Sequence, residues 1–362
     1  MKVIIFAGGS GRRLWPISLK RSPKQFEPII GDKSTLQLAV ERVLDVVGAD
    51  NIYVSTNEQY IPLVTAQLPM LSPRQFIGEP VRRDLAAAVG LALCHVAHSA
   101  DSDEPIAILW GDNYMVNPPV FQRLLQAGAD LIRQGRAEIV YMGETPRFAN
   151  ENLGWIGLRA PLGECGGAPY FAFGSLTYRP SWEQCQAIFA AGTHVWNTGY
   201  FITTAPFMQA QYARFQPELW AGLTRIAASI DTAAYPPTLQ AIYPQLAEMS
   251  FDDAVLVHID PAAAVVLHGE MGWSDPGTLY ALKEAINPDT SANVARGLVE
   301  LEGSQDCLVY NYQAGKLVVA IGLDGMIVVN TDRAVLVVHK DQIPLVKKVV
   351  NRLADSDLSS YT

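Results

Sequence analysis

Long apolar runs are missing from this 362-residue chain. The longest, from about Ala86 to Val96, is about half of what a membrane-spanning helix needs. The N-terminal run Val3–Ala7 stops at a Gly/Arg loop, too short for the apolar core of a secretory signal. Cysteine is scarce: Cys94, Cys165, Cys185 and Cys307 include no pair at metal-knuckle or redox spacing. That excludes a disulfide scaffold and predicts reduced thiols. Low-complexity sequence is also absent, so the chain is globular rather than disordered. Basic residues are the minority, 27 against 36 acidic, for a net charge of −9. Such a balance argues against nucleic-acid partners and against an anionic membrane surface. Together these absences predict a soluble, cytoplasmic protein.

Strand-like and helix-like segments alternate through the first part of the chain. Lys2–Phe6, Asn51–Asn57, Pro105–Asn113 and Glu138–Glu144 read as strands, the first and third as buried apolar runs. Ser34–Val47 and the stretch from Arg82 to Ala100 read as helices between them. The alternation predicts an α/β fold with a mixed, mostly parallel sheet flanked by helices. Ligands of such sheets gather at the carboxyl ends of strands, where Gly8–Gly11 and Gly111–Asp112 stand. After about Ile286 the pattern changes to short β runs broken by Gly, Asn and Asp, closed by an amphipathic helix. The expected division is therefore 1–285 for a catalytic domain and 286–362 for a small β domain, a β-helix or a sandwich fragment. His95 and His98 stand three apart on an apolar helix and suit either a metal pair or a helix flank.

The stretch FAGGSGRRLWPISLKRSPKQF, Phe6 to Phe26, is basic in an acidic chain. A strand running into Gly8-Gly9-Ser10-Gly11 offers backbone N–H groups and close approach, and Arg13 and Lys24 add positive charge. These features suit a polyphosphate. A Walker loop would need Gly-Lys-Ser/Thr after four residues, and a dinucleotide fingerprint would need a third Gly where Leu14 stands. Neither is present. A glycine-rich turn with solvated basic residues is the alternative reading.

The same stretch resembles the signature loop of sugar nucleotidyltransferases, specifically mannose-1-phosphate guanylyltransferases. Their pattern is Gly-Gly-Ser-Gly-Thr-Arg-Leu-Trp-Pro-Leu-Ser-Arg, then Pro-Lys-Gln-Phe. Arg13, Leu14, Trp15, Pro16, Pro23, Lys24, Gln25 and Phe26 match, and Arg12 replaces the Thr. The likeness continues through GEPVRRDLAAAV, LWGDNYM, NLGWIGL, VWNTGYF and GWSDPGTLYAL to the closing helix. It implies a Rossmann-like, GT-A-like nucleotidyltransferase fold with a small C-terminal β-helix-like domain. It also implies that the nucleotide is held by Ala7, Gly8, Gly9, Ser10, Gly11, Arg12, Glu79, Arg83 and Gly111. The sugar phosphate falls to Gly154, Trp155, Arg179, Asn197 and Thr198, with Trp196 either in the pocket wall or in the core. Asp112 and Asp275 fall on the family's Mg²⁺-binding aspartates.

The chemistry implied is GTP plus mannose 1-phosphate giving GDP-mannose and pyrophosphate, with a homodimer as a possible assembly. Two anions must meet, so alignment and charge neutralisation are the main tasks. Mg²⁺ on Asp112 and Asp275 would do both, and Arg13 and Lys24 would hold the leaving pyrophosphate. No side-chain base is required, because the attacking phosphate is already ionised. Residues alone indicate only a polyphosphate, a divalent metal and a polar pocket; GTP and mannose come from the resemblance. Two departures leave the acceptor open. Tyr178-Arg179-Pro180 stands where the family has Glu-Lys-Pro, and Val257-His258 stands where it has Glu-Lys. A different sugar phosphate, or a non-catalytic regulatory paralogue that binds nucleotide sugar, are the alternatives.

Overall fold

A computed structural model describes residues 1–9, 14–19, 22–99, 101, 103–178 and 180–362. They form two compact units. One is Met1–Gly8, Ala39–Gly111 and Met115–Trp273; the other is Gly9–Leu38, Asp112–Tyr114 and Ser274–Thr362.

The strands in chain order are β1 (Lys2–Phe6), β2 (Ile52–Asn57), β3 (Phe76–Glu79), β4 (Pro105–Trp110) and β5 (Tyr114–Met115). Then come β6 (Ile139–Glu144), β7 (Gly154–Cys165), β8 (Ala168–Tyr178), β9 (His194–Thr204), β10 (Ala264–Gly269) and β11 (Trp273–Ser274). The first unit holds a nine-stranded sheet among the described residues, in the order β3-β2-β1-β4-β9-β6-β10-β8-β7. Strands β1 to β4 pair in parallel, and the near-continuous apolar runs of β1 and β4 suit strands covered on both faces. From β9 onward the pairing is antiparallel except between β6 and β10. A further β7–β9 pairing closes β9, β6, β10, β8 and β7 on themselves.

The helix Asp84–Ser99 is apolar nearly all round and is buried from Ala86 to Cys94. His95 on it meets the Tyr235 hydroxyl at 2.6 Å, and His98 lies 3.3 Å from Asp231. The two histidines thus face different partners, and burial pushes the His95 pKa down to about 4. They form a helix flank. Sequence and structure agree closely at Ser34 too: its hydroxyl accepts from the Gln37 N–H and its N–H donates to Gln37 Oε1, a capping box opening the helix Thr35–Val47.

The second unit contains β12 (Val294–Arg296), β13 (Val299–Glu302), β14 (Leu308–Asn311), β15 (Val318–Ile321), β16 (Met326–Asn330) and β17 (Val335–His339). β12, β14 and β16 stack in parallel, and so do β13 and β15. That is a β-helix coil, with Cys307, Val309, Ala320 and Val328 buried in one cluster. β17 adds antiparallel to β16. Leu14, Ile17 and Ile29 share a second core with Leu279, Leu282, Leu308, Tyr310, Ile327 and Val329. Trp15 packs with Val346 and Val350 of the helix Pro344–Ala354, and its indole N–H donates to the Tyr361 carbonyl at 2.8 Å. Beside this core, the buried Asp306 receives Lys283, Lys340 and the Tyr280 hydroxyl at 2.6, 2.7 and 2.8 Å. Burial alone would raise its pKa, but these donors hold it at about 2.

Candidate functional site

Lys24 opens a short 3₁₀ turn, Lys24–Phe26, that is anchored by the buried Gln25 and Phe26. Its ammonium lies 2.8 Å from Asp112 Oδ2 and 3.5 Å from Asp275 Oδ1. Asp275 begins a tight turn in which the Gly277 N–H donates to its carbonyl at 2.7 Å, leaving the carboxylate exposed. Three distant stretches of chain thus converge on one cation within the second unit. Two carboxylates that share one ammonium form a hard oxygen donor set fit for Mg²⁺. No group of three or more His, Cys, Asp and Glu side chains with metal-holding geometry occurs among the described residues. A metal on Asp112 and Asp275 would therefore complete its shell with water or phosphate oxygens, the usual habit of Mg²⁺.

The chain leaves β1 through Ala7 and β4 through Gly111. The Ala7 N–H donates to the Ser55 carbonyl at 2.8 Å, and its carbonyl accepts the Thr56 hydroxyl at 2.7 Å. Gly111 N–H donates to the Phe6 carbonyl at 2.9 Å. Both residues therefore spend their amides on the sheet and do not aim them at a nucleotide. Gly8 and Gly9 are exposed; Gly9 has φ +110, a conformation suited to glycine. Ser10, Gly11, Arg12, Arg13 and Arg179 lie outside the described residues. Glu79, at the end of β3, accepts the Tyr243 hydroxyl at 2.6 Å, and burial pushes its pKa up to about 6. Arg83 donates to the Pro244 carbonyl. Both are thus tied to the Tyr243–Gln245 turn.

On the sugar side, register decides. Gly154 of β7 stands opposite Tyr178 of β8 and Asn197 of β9. Residues directly opposite in antiparallel strands share a face, so these three form one row. The next pair, Trp155 opposite Trp196, must point to the other face. There both indoles are fully buried with Cys185 in a small core, rings 6.3 Å apart. Trp155 is consequently no wall for a sugar, which corrects the sequence-based expectation, and Trp196 takes the core reading. The reason is strand parity: one residue along the strand reverses the side chain. Thr198 is also turned inward. Its hydroxyl donates to the Met142 carbonyl at 2.7 Å and accepts from the Tyr200 N–H, which leaves it buried away from any ligand.

Glu144 escaped the sequence reading. It ends β6 almost fully buried, accepting the Met271 and Gly272 N–H groups at 2.9 and 3.1 Å and Arg147 at 3.2 Å. Burial outweighs these donors and pushes its pKa up to about 7. Arg147 also donates to the Trp273 carbonyl at 3.0 Å, so the pair clamps the turn before β11. The only sequence signal is a lone carboxylate at the end of the apolar run IVYMGE.

Known proteins resemble the whole chain. A family model described as Nucleotidyl transferase matches residues 2–292, and one described as MannoseP isomerase/GMP-like beta-helix domain matches 298–353. A mannose-1-phosphate guanylyltransferase of Klebsiella pneumoniae is 30% identical over 361 residues, covering 99% of this chain and 75% of the relative. One from Escherichia coli gives the same identity and coverage. The solved structure of mannose-1-phosphate geranyltransferase from Thermus thermophilus superposes with a TM-score of 0.83 at 25% identity, covering 97% of this chain and 98% of that one. Among the described residues, no helix is long and apolar enough to cross a membrane. With a mixed sheet in which glycines follow β1 and β4, and a β-helix after it, the chain belongs to the nucleotidyl transferase family of enzymes.

Proposed function

We propose that this enzyme transfers a guanylyl group from GTP to mannose 1-phosphate, releasing pyrophosphate and forming GDP-mannose. The observation that carries this reading is the convergence of Asp112 and Asp275 on Lys24, in a chain whose relatives bear that activity in their names. A phosphate oxygen of the sugar phosphate forms a bond to the α-phosphorus, and the bond from that phosphorus to the β-phosphate oxygen breaks. Asp112 and Asp275 would hold Mg²⁺, which when bound supplies charge neutralisation for the triphosphate. Lys24 keeps positive charge between the two carboxylates and is the donor for the departing pyrophosphate. Arg13, by resemblance, shares that task. Gly8 and Gly9 give the phosphates a backbone without side chains.

A different hexose 1-phosphate is the second reading. Tyr178 and Val257 are exposed where the family carries carboxylates, and His258 packs its ring 5.0 Å from Phe215. A pyrophosphate-release assay with Mg²⁺, run over a panel of nucleoside triphosphates and hexose 1-phosphates, tests both. Fastest turnover with GTP and mannose 1-phosphate is expected. Another preferred sugar selects the second reading, and nucleotide binding without any turnover sinks both.

A further inference from the structure

The second unit buries a charge where apolar packing alone would have served. The helix Leu279–Ile286 has eight residues, too few to be stable by itself. It lies on the second core through Leu279 and Leu282, and Lys283, on the same side, is as fully buried as they are. The Lys283 ammonium donates to Asp306 Oδ1 at 2.6 Å and to the Asp289 carbonyl at 2.7 Å. Asp306 Oδ2 accepts from Lys340 at 2.7 Å and from the Tyr280 hydroxyl at 2.8 Å. One buried carboxylate thus ties two side chains of the helix to the coil before β14 and to the residue after β17.

A buried ion pair adds little net stability, because desolvation offsets most of the attraction, and an apolar side chain would fill the space as well. What the ions add is direction. Apolar contacts let a short helix roll or slide by a fraction of a turn. Two side chains hydrogen-bonded to one fixed carboxylate allow a single register. That register reaches Asp275 directly. Thr278 caps the helix by accepting the Ala281 N–H at 3.2 Å, and Asp275 stands three residues before it. Between them Pro276 is buried, and the Gly277 N–H closes on the Asp275 carbonyl at 2.7 Å. Little slack is left to absorb a shift of the helix. Leu279 and Leu282 also share their core with Leu14, Ile17 and Ile29, from the segment that carries Lys24.

We propose that Asp306 is a positioning residue for the reaction: through Lys283 and Tyr280 it fixes the helix Leu279–Ile286, and thereby the place of the Asp275 carboxylate beside Lys24. This rests on the reading of Asp112 and Asp275 as the Mg²⁺ ligands.

The test is the double variant Lys283→Met with Asp306→Asn. It removes the buried pair at similar volume and keeps at 306 a residue type that tolerates its φ of +51. Lys340, partly exposed, can turn to water. The melting temperature should stay within about 5 °C of wild type. In the metal-free protein, hydrogen exchange at the Gly277, Ala281 and Leu282 amides should quicken about tenfold. Mn²⁺ binding, read by electron paramagnetic resonance, should weaken about tenfold. At saturating Mg²⁺, kcat should fall by roughly ten- to a hundredfold with the sugar KM unchanged, the mark of misplaced groups rather than a lost binding contact. Tyr280→Phe removes one helix donor and keeps the ring, so it stays folded whatever the double variant does. It should show the same changes at about two- to threefold. Unchanged exchange and Mn²⁺ affinity in Tyr280→Phe and in a folded double variant overturn the proposal. So does a wild type that binds no Mn²⁺. Mn²⁺ binding that depends on Asp306 in an enzyme that transfers no nucleotidyl group would retain this inference and remove the transfer reaction instead.

Discussion

Lys24, Asp112 and Asp275 come from three separated stretches and meet through loop side chains, whereas Tyr178, Gly154 and Asn197 meet because three strands pair in register. In the first, opposite charges at 2.8 and 3.5 Å define the group, and each member needs the others. In the second, position along the strand defines the group, and neighbours one residue away belong to another face. The first therefore tolerates backbone irregularity but not a change of charge. The second tolerates changes of polarity but not a change of parity. Motifs identify residues of the first kind well. They mislead for the second kind, where Trp155 lies one position from Gly154 and faces the core.

The sharpest break in the charged group is Asp275→Asn. It should lower kcat by about a thousandfold, because the effect falls on charge developed in the transition state. Its melting temperature should scarcely move, since the carboxylate is exposed. Activity within tenfold of wild type would remove Asp275 from the reaction. Lys24→Ala comes next. The KM for pyrophosphate in the reverse reaction should rise by roughly ten- to a hundredfold with the sugar KM unchanged. It should also tighten Mn²⁺ binding, followed by electron paramagnetic resonance, because an ammonium no longer competes for the two carboxylates. Weaker Mn²⁺ binding would contradict the shared cation site.

A third carboxylate sharpens the contrast. Glu144 is buried, and its pKa in the folded chain is raised to about 7 from the usual glutamate range. The folded state then holds a proton that the unfolded state has released. Stability should be fully present below about pH 4.5 and fall as pH rises to about 7, by roughly 3 kcal/mol at most. Thermal unfolding between pH 5 and 8 should show that slope in wild type and a flatter one in Glu144→Gln. Equal slopes would mean the group titrates normally. The smallest effect belongs to Trp196→Phe, a cost of about 1–2 kcal/mol from a smaller ring in a packed core. Sugar KM should not change; a rise would return Trp196 to the pocket.

Much of this was legible in the residues. Buried parallel strands such as Lys2–Phe6 and Pro105–Trp110 are near-continuous apolar runs, so their existence can be read, although the expected Pro105–Asn113 runs three residues past the observed end at Trp110. The capping box at Ser34 is local and equally readable. Lys24, Asp112 and Asp275 were legible as motif positions, and their convergence is what the fold adds. Parity on β7 and β9 was not legible, because it depends on register, and β7 shifts register beyond Gly157. Nor could spacing reveal that Leu14 and Ile17 share a core with Leu308 and Ile327, a contact far apart in sequence. Ala7, Gly111 and Thr198 show a further limit. Their residue types suit a ligand, but the sheet claims their polar groups first.

Trp15 rests on Val346 and Val350 and hydrogen-bonds the Tyr361 carbonyl. During synthesis the ribosome releases Trp15 hundreds of residues before these partners exist. Before the helix Pro344–Ala354 is made, Leu14, Ile17 and Ile29 can already settle on Leu279, Leu282 and Leu308, whereas Trp15 still lacks Val346 and Val350. The loop is thus seated in two stages, and loss of the helix should loosen Trp15 before it loosens the rest of the segment.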